Sequence, residues 1–355
     1  MVRIAHISDS HLGKTLFQLV ERKDDVRQCL KKAIDMAMRK SPDILVHTGD
    51  LFENPLPSME DLTFAMDLFK SIQDKVEVFL VHGNHDIPYG YRHIQSPISA
   101  LESAGVVKST GNDHYKAHKI DIDGRKIEVH LFSWTRDKLF ERKLNSIVPQ
   151  TDPAFLFAHH IPVKKERLPI HFNYYGCGHA HSFWLDEEYD IGRPGSTCYV
   201  NWSKEVGGKK KLIVVDSDSQ GNEYSTENLN DVREFKFPQA KITGMGPDEA
   251  NSYLQGMISK LSPKKDGAIV IVRVDGIIDS ETENGLDRIK ILQHAENQLN
   301  SLFVHVEPNW ICYGPREIKL KQPLNIEASI RDYIEQTDEE GLDDLLDLVG
   351  RITGE

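Results

Sequence analysis

Cysteine is scarce in this chain. Its four, Cys29, Cys177, Cys198 and Cys312, share no CxxC spacing, which points away from a zinc knuckle or a disulfide framework and toward reduced, structural thiols. Net positive charge is missing as well. A formal charge of -12 argues against holding nucleic acid by bulk electrostatics, so any polyanionic substrate has to meet metal ions or a local basic rim. No window approaches the roughly 18 uninterrupted apolar residues of a membrane span. The opening MVRIAHISDSHLG also lacks a basic segment followed by a long apolar one. Internal repeats and low-complexity tracts are absent. What is left is the composition of a soluble globular protein, expected in the cytosol. Its 355 residues exceed one ordinary core and suggest two domains with a short appendage.

Apolar strand-like runs alternate with helical patterns through the first part: VRIAHIS, a helix over 25–39, DILVHT, a helix over 58–72, VEVFLVH and a helix over 94–104. That order reads as β-α-β units. A hairpin follows in HKIDIDGRKIEVHLFSW, where Asp123-Gly124 separates two alternating segments. A helix near 136–147, the strand AFLFAHH, a short strand near 174–178 and the pair STCYVNW and KKLIVVDSD complete the region. Two packed mixed sheets flanked by helices are expected. The polar stretch 216–232 reads as a boundary loop and edge strand. Beyond it, REFKFPQAKIT, a helix over 247–261, GAIVIVRVDGII, a helix over 285–300 and LFVHVEPNW make a small α+β series. The last stretch carries Leu342, Leu345, Leu346 and Leu348 at helical spacing.

Five short motifs fall at the C-terminal ends of expected strands: SDSH (Asp9, His11), GD (Asp50), GNHD (Asn84, His85, Asp86), AHH (His159, His160) and GHAH (His179, His181). Ligands of open α/β sheets bind at that edge, so residues distant in sequence converge there. Asp, Asn and His without thiolate suit Mn²⁺, Fe²⁺ or Zn²⁺ in a working site better than a structural zinc. D-x-H and H-x-H put both side chains on one side of an extended segment. Two metals roughly 3.5–4 Å apart and bridged by a carboxylate, for which Asp50 is the natural choice, can activate water for an in-line phosphoryl displacement. His6, His47 and His82 read as buried, hydrogen-bonded residues.

In this order the motifs resemble the signature of the calcineurin-like metallophosphoesterases. Within that superfamily HISDSHLG, HTGDLFENPLPS, VHGNHD, GCGHAH and RPGST are similar to the DNA double-strand-break repair nucleases of the meiotic recombination eleven and SbcD family. The resemblance covers nearly the whole chain, strongly to about residue 205. It implies an α/β four-layer nuclease domain over 1–230, a small capping domain over 231–320 and a C-terminal helical segment over 321–355 that docks an ATPase partner. It also implies two Mn²⁺, with Mg²⁺, Fe²⁺ or Zn²⁺ acceptable at the same site. Asp9, His11, Asp50 and His181 would hold one metal, and Asp50, Asn84, His159 and His179 the other, with His159 preferred to His160. His85 would contact the phosphate or protonate the leaving oxygen. The activity implied is 3′–5′ exonuclease on duplex DNA and endonuclease on single strands, in a prokaryotic, nucleoid-associated homodimer. Its implied partners are DNA ends and an SMC-like ATPase of the Rad-fifty or SbcC type.

One position departs from the family pattern. Where members often carry a histidine three residues after the bridging aspartate, this chain has Glu53, expected to orient or acidify His85. Arg92 and Arg193, with Lys14 and Lys164, are the candidate phosphate contacts, which would fix register without reading sequence. The apolar faces of 58–72 and 94–104 are expected in the core or at a dimer interface. Two rival readings are a small-molecule phosphomonoesterase or phosphodiesterase with the same core, and a non-catalytic scaffold tethering DNA ends.

Overall fold

The computed structural model describes residues 1–88, 95–206, 208–261 and 267–313. The described chain divides into two compact units, one of residues 1–237 with 263–269 and one built from 238–262 and the chain after 270.

The first unit runs β1 (Val2–Ile7), α1 (Glu21–Met38), β2 (Ile44–His47), α2 (Met59–Lys70), β3 (Glu77–Leu80), α3 (Pro97–Ser103), β4 (Tyr115–Ile122), β5 (Arg125–Phe132), α4 (Asp137–Leu144) and β6 (Ala154–Ala158). It continues with β7 (Tyr174–Gly176), β8 (Trp184–Asp186), β9 (Ile191–Arg193), α5 (Trp202–Glu205), β10 (Lys211–Asp218), β11 (Gly221–Asn228) and the two-residue β12 (Phe235–Lys236). One sheet has the order β11-β10-β1-β2-β3, the other β4-β5-β6-β7-β9-β8. β1, β2 and β3 pair parallel, as do β5, β6, β7 and β9. Buried on both faces, β1 and β2 read as continuous apolar runs rather than alternating ones.

Strand alternation separates two cores. Val2, Ile4 and Val46 pack with Val129, Phe155 and Phe157 of the facing sheet, while Ala5, Ile7 and Leu45 pack with Leu30, Ile34, Phe69 and Leu101 of the helices. A third apolar cluster, including Phe140 and Leu144 of α4, covers the outer face of the second sheet. The result is helix, sheet, sheet, helix, the expected α/β class. α2 begins where the Ser58 hydroxyl accepts the Asp61 N–H (3.1 Å), with Glu60 and Asp61 favouring its N-terminus and Lys70 its last turn. α3 begins with Ser96 as cap and Pro97 in its first turn. Asp123 and Gly124 take φ of 50° and 80°, the turn that matches hairpin twist.

STCYVNW is not the expected strand. Its amides are taken by side chains: Tyr199 N–H by Asp231 (3.0 Å), Val200 N–H and Asn201 N–H by Glu205 (3.2 and 2.7 Å). The three-residue strands β8 and β9 occupy a stretch whose sequence gives no strand signal.

The second unit contains β13 (Gln239–Lys241), α6 (Pro247–Ile258), most of β14 (Ile269–Asp279), α7 (Ser280–Gly285), α8 (Arg288–Gln298) and β15 (Phe303–Tyr313). β13 and β15 both pair with β14. Ile242, Leu254, Val272, Ile291 and Val304 form its core. REFKFPQAKIT is interrupted at Pro238, which has no N–H to give a ladder, so β12 and β13 are separate. Among the described residues no helix is long and apolar enough to cross a membrane.

Candidate metal centre

The chain turns sharply at the C-terminal ends of β1 and β2. Asp9, His11 and Asp50 take φ of 51°, 49° and 51°, and His179 takes 70° after β7. Left-handed backbone costs an L-residue roughly 1–3 kcal/mol, and here it falls on the side chains that converge. Neighbouring glycines let the turns approach: a Cβ on Gly83 would stand 2.1 Å from Asp50 Oδ1, and one on Gly49 2.5 Å from His159 Nδ1.

Three groups of potential ligands result, one of which, His11, Glu53 and His85, is already joined by the hydrogen bond of Glu53 to His11; two remain. In the first, Asp9, His11 and His181 bring one ligand atom each within 4.8 Å of one another. Glu53 Oε2 sits 2.8 Å from His11 Nδ1 and Glu205 Oε1 2.6 Å from His181 Nδ1. Each imidazole donates Nδ1–H to a carboxylate, which leaves Nε2 as the ligand nitrogen. His11 Nε2 and Asp9 Oδ2 are buried without a hydrogen-bond partner. In the second group, Asp50, His159 and His179 converge in the same way. His159 donates Nδ1–H to the Thr48 carbonyl (2.8 Å), so its Nε2 faces Asp50 Oδ2 at 3.2 Å and Asn84 Oδ1 at 3.1 Å. His179 Nδ1 is 3.2 Å from the same amide oxygen. A ring nitrogen facing two oxygens needs a proton or a metal cation between them. Both groups therefore fit divalent cations, and the donors are oxygen and imidazole.

Asp50, a member of the second group, also reaches the first. Its Oδ2 is 3.7 Å from His11 Nε2 as well as 3.2 Å from His159, while Oδ1 accepts the His85 N–H (2.8 Å). Burial alone would raise this carboxyl, but His159 and His11 hold it well below the usual carboxylate range. Burial likewise pushes the His159 imidazole down, and Asp50 more than offsets this, taking it to about 9. The field that favours a proton there favours a metal cation. Glu53 and Glu205 are opposed by burial yet brought to about 2, Glu53 by His11 and Lys14 and Glu205 by His181 and Lys210.

The Glu53 carboxylate is not on His85. It is taken by His11 and by Lys14 (2.6 Å), and His85 Nδ1 instead donates to the Glu53 carbonyl at 2.8 Å. Glu53 thus meets His85 through its main chain. In the same geometry the Lys14 ammonium is paired with the Glu53 carboxylate. Arg193 Nε donates to the Ser182 carbonyl (2.9 Å), and Lys164 is exposed. Arg92 lies outside the described residues, as does the segment 321–355.

Sequence reasoning missed Glu205, and it grouped Lys210 with the loop cations that could meet phosphate. Lys210 is instead buried and sits 2.5 Å from Glu205, so it supplies an internal counter-charge. No fixed spacing to the GHAH motif marks either residue. Asp86, the last residue of GNHD, accepts the N–H groups of Leu51, Phe52 and Gly83 (3.3, 3.0 and 2.9 Å) and fastens the β2 loop to the β3 loop. His160 lies with its ring 5.6 Å from that of Trp134, outside both groups. His6, His47 and His82 are buried on hydroxyl partners: Tyr174 and Thr48, Ser10, and Thr110 with Ser133.

A calcineurin-like phosphoesterase profile matches residues 2–191. The chain is similar to a protein of Saccharolobus solfataricus named DNA double-strand break repair protein Mre11, 29% identical over 85% of this chain and 77% of that one. It is also similar to the protein of the same name from Methanococcus maripaludis, 38% identical over 59% of this chain and 60% of the relative. With the profile over more than half its length and candidate ligands at the strand ends, the chain belongs to the calcineurin-like phosphoesterases, metal-dependent hydrolases with a dinuclear site.

Proposed function

We propose that this protein is a Mn²⁺-dependent DNA nuclease that processes the ends of double-strand breaks, degrading duplex DNA from 3′ ends and cutting single strands. The observation that carries the reading is the sharing of Asp50 between two imidazole-rich groups. Asp9, His11, Asp50 and His181 hold one cation in this proposal, and Asp50, Asn84, His159 and His179 the other. Mg²⁺, Fe²⁺ or Zn²⁺ fit the same donors. When bound, the two cations acidify the attacking water and offset the charge that builds on the phosphate oxygens. His85, fixed at Nδ1 by the Glu53 carbonyl and at its amide by Asp50, turns Nε2 to the phosphate or to the leaving oxygen. The names of the archaeal relatives support the repair assignment.

On the same resemblance we assign DNA ends as substrate, an SMC-like ATPase as partner of segment 321–355, and the small unit after residue 237 as a cap. Dimerisation near 58–72 is supported by Met59, 74% exposed at the start of α2, and by Leu56, 58% exposed just before it, whereas Ile98 and Leu101 of 94–104 are buried in the chain's own core. The site of action in this reading is the nucleoid of a prokaryotic cytoplasm. Glu53, the one residue that favours a small-molecule phosphoesterase, carries no such weight once its carboxylate is on His11.

The test is incubation with Mn²⁺ and a 3′-end-labelled duplex, alongside bis-p-nitrophenyl and p-nitrophenyl phosphates. Mn²⁺-dependent shortening that vanishes in Asp50→Ala is the expected result. Turnover of the small esters alone would move the assignment to a small-molecule phosphoesterase.

A further inference from the structure

Three of the four candidate ligand imidazoles have a hydrogen bond that fixes the ring from behind. His11 and His181 donate Nδ1–H to Glu53 and Glu205, and His159 donates to the Thr48 carbonyl. His179 is the exception. It is exposed, and its Nδ1 faces the Asn84 amide oxygen at 3.2 Å. In the two-cation reading both residues are ligands, so that contact cannot orient the ring. Among the described residues nothing hydrogen-bonds its other ring nitrogen. What surrounds His179 is aromatic instead. The Trp134 ring lies 4.8 Å from it, tilted by 40°, and also reaches His159 edge-on at 5.7 Å. His160, 5.6 Å from Trp134 and 5.4 Å from His179, completes the group. These separations fall within the roughly 4.5–7 Å over which aromatic rings attract. The indole also stands on a fixed base. Trp134 N–H donates to the His82 carbonyl (2.8 Å), the preceding Ser133 N–H donates to the His114 carbonyl (3.0 Å), and the Ser133 hydroxyl meets His82 Nδ1 (3.2 Å).

We propose that Trp134 is a positioning residue of the metal centre, its indole orienting His179 by ring packing where the other three imidazoles are oriented by hydrogen bonds. The proposal rests on the reading that His179 holds the second cation. An exposed imidazole loses rotamer freedom when it takes a cation, and a ring already packed against a fixed indole loses less. The second cation site is thereby prepared without a buried charge behind His179.

The test pairs two measurements on the full chain. In the metal-free protein, nuclear Overhauser contacts are expected between the Trp134 indole and the His179 ring protons, the latter assigned by their loss in His179→Asn. Calorimetric titration with Mn²⁺ then compares Trp134→Leu, which keeps apolar bulk without a ring, with Trp134→Phe. The weaker class of site should bind about three- to tenfold more weakly in Trp134→Leu, the scale of one aromatic pair. Trp134→Phe should stay within about twofold of the unaltered chain, because a ring remains. The tighter class should be unchanged in both. Missing Overhauser contacts, which are read even if Trp134→Leu fails to fold, overturn the role of Trp134, as do equal losses in both classes or no loss in Trp134→Leu. None of these outcomes touches the nuclease reading. Contacts between the two rings together with a single Mn²⁺ per chain would uphold the placement of His179 and overturn instead the two-cation reading.

Discussion

The two halves of the metal centre are built differently. In the first, each imidazole is backed by a carboxylate with its own lysine: Glu53 and Lys14 behind His11, Glu205 and Lys210 behind His181. In the second, His159 is backed by the Thr48 carbonyl and His179 meets an amide oxygen. A carboxylate makes an imidazole more basic and fixes its tautomer more firmly than a neutral carbonyl does. The account therefore predicts that the first half holds a cation more strongly and that the second exchanges it more readily, because His179 is also exposed.

The largest effect is expected where the halves meet. Asp50→Ala removes the carboxylate common to both and should lower phosphodiester turnover by at least roughly 10³-fold, measured on bis-p-nitrophenyl phosphate. A loss under tenfold would mean the halves work separately. Acid should act outside both halves, through the buried histidine behind the β3 loop. His82 lies two residues before Asn84, and burial takes it to about 4. This is below the ~6.5 of an unfolded chain, so the unfolded state binds the extra proton between those values. Its contribution is complete above about pH 6.5 and fades as pH falls toward 4, about 3 kcal/mol in all. Urea unfolding of His82→Gln should show a flatter dependence in that window, whereas Glu53 and Glu205, near 2, stay ionised through it.

Smaller changes sharpen the asymmetry. Glu205→Gln leaves His181 without its ionised partner and Lys210 buried without its counter-charge. Affinity for the tighter Mn²⁺ should fall roughly 10–100-fold, with the weaker one little changed. Glu53→Gln should act the same way but less, about tenfold at most, since Lys14 and solvent already screen that carboxylate. Equilibrium dialysis of both variants checks the ranking. If Glu53→Gln costs more, partial exposure is a poor guide to the strength of that backing.

Much of this convergence was legible in the sequence because the candidate ligands sit where strands stop. Asp9, Asp50, Asn84, His159 and His179 follow apolar runs directly, and strand alternation with parallel pairing brings those ends to one edge. The supporting residues were not legible. Glu205 reaches His181 through a loop whose amides it also binds, so the contact has no sequence period. The same bonds explain why STCYVNW is no strand: its β-branched and aromatic residues have strand propensity, but its donors are already taken. Glu53 stood out by type, yet no spacing rule distinguishes a carbonyl from a carboxylate as the partner of His85. The hairpin at Asp123-Gly124 was recoverable because two residues of positive φ leave few other turns.

Calorimetric titration of the unaltered chain with Mn²⁺ tests the central claim most directly. Two classes of site are predicted, one cation bound at least tenfold tighter than the other, with the tighter class weakened selectively in Glu205→Gln. A single site per chain, or two sites equally affected by Glu205→Gln, would contradict an unequal two-cation centre joined at Asp50.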